Sequence, residues 1–420
     1  MLPEEIPFLS VAELSGYIKK KEITPVETVR AYLARIERID PKLNAYITVL
    51  ADQAEHDAEL AGREIASGNY LGPLHGIPVA IKDQIHSKGV RTTDASKIRT
   101  DFVPVEDATV LSKLKAAGAI LLGKLNMSEF ALGDPISSAF GPAHNPWDLE
   151  RNPGTSSTGS GAATAGFLCA TSLGEDTGGS IRGPAANCGL VGLRPTWGRV
   201  SRYGVDGACW SIDTIGPISR CVADCAITIG AIAGFDAKDK YTHQVPVPNY
   251  YENLGNDLTP LKIGVVKELM DTDTMGTNPE VVSAINTAIE IFAGLGAQIK
   301  EISLPLTKHT GAIVRTITHT ERVSIHPEWL RERPQDFHHN TRVAFMAGNL
   351  IPAQVYYKAQ KLRAVVRHQV LEAFKDVDLL IQPTSSGPAN VMNLEPGVES
   401  LEQAKKALVE GGFRGLYSLS

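Results

Sequence analysis

Apolar and polar positions alternate along this chain in two rhythms. Residues 8–68 carry apolar side chains at helical spacing with charges between them, as in VAELSGYIKKKEITPVETVRAYLARI, where Thr24 and Pro25 supply a cap and a first turn. This predicts an amphipathic helical entry. The rhythm then changes: GIPVAIKD (76–83) is a short β-branched run closed by a polar pair, and GAILLGKLN (118–126) is another, following the helical ATVLSKLKAAG. Strand and helix alternate, which predicts an α/β layer structure.

From 151 to 204 Gly, Ser, Thr and Ala dominate, in RNPGTSSTGSGAATAG and GEDTGGSIRGPAANCG. GFLCATSLG reads as a buried strand between these polar parts, and VGLRPTWGRVSRYG follows without disorder-like composition. The stretch is therefore tightly folded backbone that uses Gly for positive φ and close approach, not a linker. Helix and strand alternate again over 226–300 (AITIGAIAGFD, LKIGVVKEL, VVSAINTAIEIFAGLGAQI), residues 310–375 are mainly helical, and DLLIQPTSSGPA (378–389) reads as a final buried strand. No internal repeat or linker divides the chain.

Composition narrows the picture. With 420 residues, 43% hydrophobic and 21% charged, the chain can bury a large core. Net charge is −6 and no Lys/Arg-rich run appears, so nucleic acid is not an expected ligand. The five cysteines show no CxxC pair, which predicts free thiols in a reducing compartment, and the cytoplasm is the expected location. MLPEEIPFLS lacks a basic, apolar leader, and no run approaches the roughly 18 apolar residues of a membrane span. His338 and His339 are adjacent, not at helical ligand spacing, so no metal and no cofactor is expected.

Two features carry candidate chemistry. Lys82 ends the run IPVAI, where desolvation lowers a lysine pKa toward that of a useful base, although a lysine at a strand end more often snorkels to water. Ser180 follows two glycines in DTGGSIRGPA, a turn whose successive N–H groups can face a developing oxyanion. A lone Gly-Gly-Ser is equally a tight turn, and Ser156, in GTSSTGSG, is equally part of a polar loop. No His lies between His144 and His243 and no GxSxG elbow surrounds Ser180, so a base for this serine must be something else, lysine being the known substitute.

GIPVAIKD, RNPGTSSTGSGAATAG and LGEDTGGSIRGPAANCGLVGLRPTWGRVSRYG resemble the three hallmark segments of the amidase signature family, and the likeness extends more loosely over about residues 8 to 390. The resemblance implies one α/β domain with a mixed central β-sheet covered by helices, in which 1–70 is a helical segment packed on a core of 71–420. It implies a Ser–cis-Ser–Lys triad of Lys82, Ser156 and Ser180, spaced 74 and 24 residues apart, with Thr177, Gly178 and Gly179 as oxyanion donors beside Ser180. The implied reaction is hydrolysis of a small-molecule amide through an acyl-enzyme, with no membrane partner; a homodimer is compatible with it. Asp176 and Arg182 flank the nucleophile, where a structural salt bridge is at least as expected as a catalytic role. Thr155 and Thr158 stand where the family usually has glycine, which predicts tighter steric limits around Ser156. The C-terminus reads as shortened, since the chain stops about where family members continue.

Segment 86–146 resembles the A subunit of the tRNA-dependent amidotransferases, which hydrolyse glutamine and pass ammonia to a partner. EWLRERPQDFHHNTRVAFMAGN and QVYYKAQKLR are more similar to free-standing amidases. A stand-alone amidase is the favoured expectation, ahead of an amidotransferase component or a catalytically inactive scaffold. By position, Phe130 and residues 315–345 are expected near the acyl pocket, with core packing the stronger expectation for Phe130.

Overall fold

The computed structural model describes all residues except 1, 256–258, 260, 396, 398 and 399. Its first layer is the predicted helical entry: α1 (Val11–Lys19), α2 (Pro25–Leu43) and α3 (Ala51–Ala66). Ser10 and Thr24 each accept a hydrogen bond from the backbone N–H of a glutamate three residues on, while that glutamate returns a bond to the cap, so both helix starts are closed reciprocally. One strand interrupts this entry. β1 (Tyr46–Val49) joins the central sheet beside β3, so residues 1–70 add sheet as well as helix to the core.

Six strands form that sheet: β1, β2 (Pro78–Lys82), β3 (Ile120–Leu125), β4 (Thr171–Asp176), β5 (Val191–Gly192) and β6 (Thr214–Ser219), in the order β1-β3-β2-β4-β6-β5. β2 runs parallel to both β3 and β4, and the other pairings are antiparallel, giving the mixed sheet the resemblance implied. Every residue of β2, β3, β4 and β6 is buried, which is why these strands read as continuous apolar or small-residue runs instead of alternating ones. β4 begins at Thr171, so the first part of GFLCATSLG is turn instead of strand.

Around the sheet lie α4 (Thr109–Ala116), α5 (Thr158–Ala165), α6 (Arg182–Cys188) and α7 (Val222–Ile232). α5, TGSGAATA, is small enough to sit almost on the backbone beneath it: a Cβ at Gly159 would collide with the Ala45 carbonyl.

Beyond residue 260 the chain builds a second, three-stranded parallel sheet from β7 (Lys262–Val266), β8 (Gln298–Ile302) and β9 (Leu379–Ile381), ordered β8-β7-β9. The family resemblance implied the central sheet; this smaller one is additional to it. β9 was expected to be buried and is not: Leu379 is 48% exposed at the sheet's edge. Helices α8 (Pro279–Gly294), α9 (Thr307–Val323), α10 (Pro327–Glu332), α11 (His339–Asn349), α12 (Ala353–Ala373) and α13 (Leu401–Leu419) complete this half. α9 and α13 cross so closely that a Cβ at Gly311 would strike the Leu408 carbonyl, and side chains of both, Val314 and Arg414, lie over the Gly178–Gly179 turn after β4. No helix of the described residues is long and apolar enough to cross a membrane.

Candidate active site

β2 and β4 are parallel neighbours, so their carboxyl ends come together, the place where open α/β sheets ordinarily hold ligands. Lys82 is the last residue of β2 and is fully buried. Its Nζ lies 2.8 Å from Ser156 Oγ, 3.2 Å from Glu175 Oε2 and 3.4 Å from the Glu175 carbonyl. Burial lowers the Lys82 pKa, with Glu175 and then Asp213 and Asp176 opposing the shift.

Ser156 is also fully buried, and the Thr155–Ser156 peptide is cis. The Ser156 carbonyl accepts a hydrogen bond from Ser128 N at 3.0 Å, which ties this loop to the segment after β3. Neither Thr155 nor Thr158 occupies the left-handed region; Gly154, φ 90°, takes that conformation, and Thr158 is the first residue of α5. Threonine therefore meets no backbone conflict at either position, against the sequence expectation.

Ser180 follows the turn after β4, where Gly179 takes φ 126°. Asp176 is the hub of this turn. It accepts from Gly179 N at 2.8 Å, Ile181 N at 3.1 Å and Arg182 Nη2 at 3.0 Å, and from Arg194 on the neighbouring segment. Burial alone would raise its pKa, but Arg182 and Arg194 outweigh burial and hold the carboxyl far below the usual range. Arg182 and Asp176 thus form the ion pair that was at least as expected as a catalytic role. The same contacts correct one expectation: the Gly179 N–H is committed to Asp176, so it does not face an oxyanion beside Ser180.

Behind Lys82 sits a carboxylate pair that no sequence motif singled out. Thr177 Oγ1 lies 2.8 Å from Glu175 Oε1 and 2.7 Å from Asp213 Oδ1. One hydroxyl proton cannot serve two carboxylates. Asp213 is pushed up to about 7 by burial and then by the Glu175 charge, which brings a proton shared within this group into the neutral range, while its Oδ2 accepts from Ala208 N and Cys209 N. A cavity of about 450 Å³ lined by Glu175, Asp213, Trp210 and Tyr241 reaches this pair, and it shares no lining residue with the cleft at Ser180.

Ser180 is 7% exposed and opens on a cleft of about 280 Å³. Its Oγ makes no hydrogen bond to another described residue. The floor is Gly178, Gly179 and Thr155; one wall is Ala131 and Leu132; α9 and α13 form the others. Gly311, Val314, Arg315, Thr318, His319 and Arg322 face the cleft from α9 at intervals of three and four residues, one helical stripe. Of the segment 315–345, Arg315, Thr318, His319 and Arg322 line this cleft. Phe130 packs instead with His326, Trp329, Phe337 and Phe345, in the core role weighed for it. Arg414 of α13 lies directly over Gly179, a position that no sequence signal marked. All five cysteines are free, and no group of three or more His, Cys, Asp or Glu side chains among the described residues could hold a metal.

The family model described as "Amidase" matches residues 27–401. Among curated relatives, the A subunit of the glutamyl-tRNA(Gln) amidotransferase of Geobacter metallireducens is 45% identical over 406 residues, covering 91% of this chain and 83% of the relative. Among solved structures, one described as a vestigial protein complex that reveals the origins of an s-triazine catabolic enzyme superposes with TM-score 0.88 at 34% identity, covering 97% of this chain and 89% of that one. The peptide amidase of Stenotrophomonas maltophilia superposes with TM-score 0.82 at 28% identity, covering 95% and 88%.

Proposed function

The chain belongs to the amidase family, and from that premise we propose that it hydrolyses a carboxylic amide through an acyl-enzyme on Ser180. The observation that carries this reading is the 2.8 Å contact between fully buried Lys82 Nζ and Ser156 Oγ, one loop away from a serine that opens on the cleft. Neutral Lys82 takes the Ser156 hydroxyl proton as Ser156 takes that of Ser180, and Ser180 Oγ attacks the amide carbonyl. The N–H groups of Thr177, Gly178 and Ser180 remain to stabilise the oxyanion, since that of Gly179 is held by Asp176. Collapse of the tetrahedral adduct breaks the C–N bond, and the proton returns through Ser156 to the leaving amine. Water, deprotonated by the same relay, cleaves the ester and releases a carboxylic acid.

A fluorophosphonate should label the wild-type protein at Ser180 and fail to label Ser180→Ala. Absence of label on pure, folded wild type overturns the reading. A second reading, glutamine hydrolysis within an assembly, is favoured by the 45% identity to the A subunit of an amidotransferase. Ammonia release from a panel of amides separates the two: turnover of several amides by the chain alone supports a stand-alone amidase. Glutamine turnover that appears only with partner proteins selects the amidotransferase reading.

A further inference from the structure

Three guanidinium groups reach the cleft at Ser180, and one carboxylate answers them. Arg315 and Arg322 come from α9 and Arg414 from α13, whereas Glu410 is the one acidic side chain among the described residues that line the space. Glu410 lies 3.7 Å from Arg414 Nη1, and its Oε2 is already engaged by the Ser386 hydroxyl and N–H. Neither Arg315 nor Arg322 has a carboxylate within ion-pair distance among the described residues; Asp213 and Glu175 act on the Arg322 charge only from farther away. Arg322 is 7% exposed; its Nη2 donates to the Ala131 carbonyl at 2.8 Å, and its buried Nε has no hydrogen-bond partner among the described residues. His319, between them on the same helix, is pushed down to about 4 by burial and by Arg322 and Arg315, so it lines the cleft as a neutral ring.

Buried charges in folded proteins are paired, and an unanswered donor beside a cavity identifies the chemistry missing from it. The guanidinium fork matches a carboxylate. The cleft, about 280 Å³, is at the small end of ligand pockets, which suits a short chain. We propose that the amide substrate carries a carboxylate a short chain away from the scissile carbonyl, held by Arg322 and Arg315 while Ser180 attacks at the other end. This specificity rests on the hydrolase reading above.

Succinamate and its methyl ester share a skeleton and differ in charge. Ammonia release should give succinamate a kcat/KM at least about tenfold higher, the size expected of charge-assisted hydrogen bonds. Arg322→Gln should bring the ratio of the two substrates close to one, and Arg315→Gln, at an exposed residue whose side chain makes no hydrogen bond to another described residue, should lower it part of the way and reports even where Arg322→Gln does not fold. A second measurement is independent of turnover: succinamate, and not the ester, should raise the Tm of Ser180→Ala, an effect lost on adding Arg322→Gln. Equal response to acid and ester in a protein that labels with fluorophosphonate overturns this inference alone. Charge-selective binding by Ser180→Ala, in a protein whose wild type neither labels nor releases ammonia, upholds the anion site and overturns the hydrolase reading.

Discussion

Two lysines on adjacent strands, Lys82 and Lys124, are both fully buried, and burial lowers the pKa of both. The register sets Lys124 beside Ile81 and Lys82 beside Leu125, so the two side chains leave opposite faces of the sheet. Their partners differ in kind. Lys124 Nζ donates to the Ile85 carbonyl at 2.6 Å, Thr92 Oγ1 at 2.7 Å and the Asp83 carbonyl at 3.3 Å, with Asp83 Oδ1 at 3.5 Å. Two of these are carbonyls, the nearest charge is a carboxylate, and the Thr92 hydroxyl already donates its proton to the Val90 carbonyl at 3.3 Å, so all of them satisfy an ammonium and none has a proton to offer a neutral amine. Lys82 has Ser156 Oγ, a hydroxyl that accepts from the ammonium and donates to the amine. Burial and a lowered pKa are common to both lysines; a partner that can reverse its role belongs to Lys82.

The largest effect should come from Lys82→Met, which removes the proposed base and should lower kcat/KM for ammonia release by at least about 10³-fold. Lys124→Met should instead act on stability. It leaves Asp83 and two carbonyls buried without their cation, at a cost of about 3–5 kcal/mol in urea unfolding. Equal loss of turnover in the two variants, in proteins of equal stability, breaks the distinction.

A smaller effect concerns Asp213, whose carboxyl is raised in the folded protein. A raised carboxylate favours folding while protonated, so wild-type stability should fall as pH rises from about 4 through about 7. In Asp213→Asn the amide can donate to Thr177 while its oxygen accepts from Ala208 N and Cys209 N, so this slope should flatten and the variant should gain on the order of 2 kcal/mol at pH 8.

The finest test is a pH profile. Turnover needs neutral Lys82, so kcat/KM should rise with pH to a plateau. Glu175 favours the protonated lysine. Glu175→Gln should therefore move the rising limb to lower pH by about one unit, while Asp83→Asn, beside the other lysine, should leave it in place.

Lys82, Ser156 and Ser180 had ordinary readings as single residues and were picked out only by the family resemblance, which works because each sits in a contiguous motif; the structure places them at a strand end, in a loop and after a Gly-Gly turn. Asp176 and Arg182 were legible as an ion pair for the same reason, being six residues apart across that turn. Glu175 and Asp213 were not, because the Thr177 hydroxyl that joins them lies 36 positions from Asp213 and only the antiparallel pairing of β4 with β6 brings them together. Arg322 carried a weak signal, the helical stripe of α9, and Arg414 carried none, since its place depends on how α13 crosses α9. β1 was hidden inside a segment whose charges and spacing read as helix, where pairing with β3 overrides local preference.

The α9–α13 crossing also sets an order of assembly. Lys82, Ser156 and Ser180 emerge from the ribosome early, yet Arg182 Nη1 donates to the Arg414 carbonyl and Arg182 Nη2 to Ser418 Oγ, contacts that span more than 230 positions. During synthesis, the turn that carries Ser180 waits for most of the chain before its last supports arrive. Until then only contacts within the first 194 residues hold it, Asp176 with Arg182 and Arg194 among them, and the nucleophile stands in a cleft that still lacks a wall.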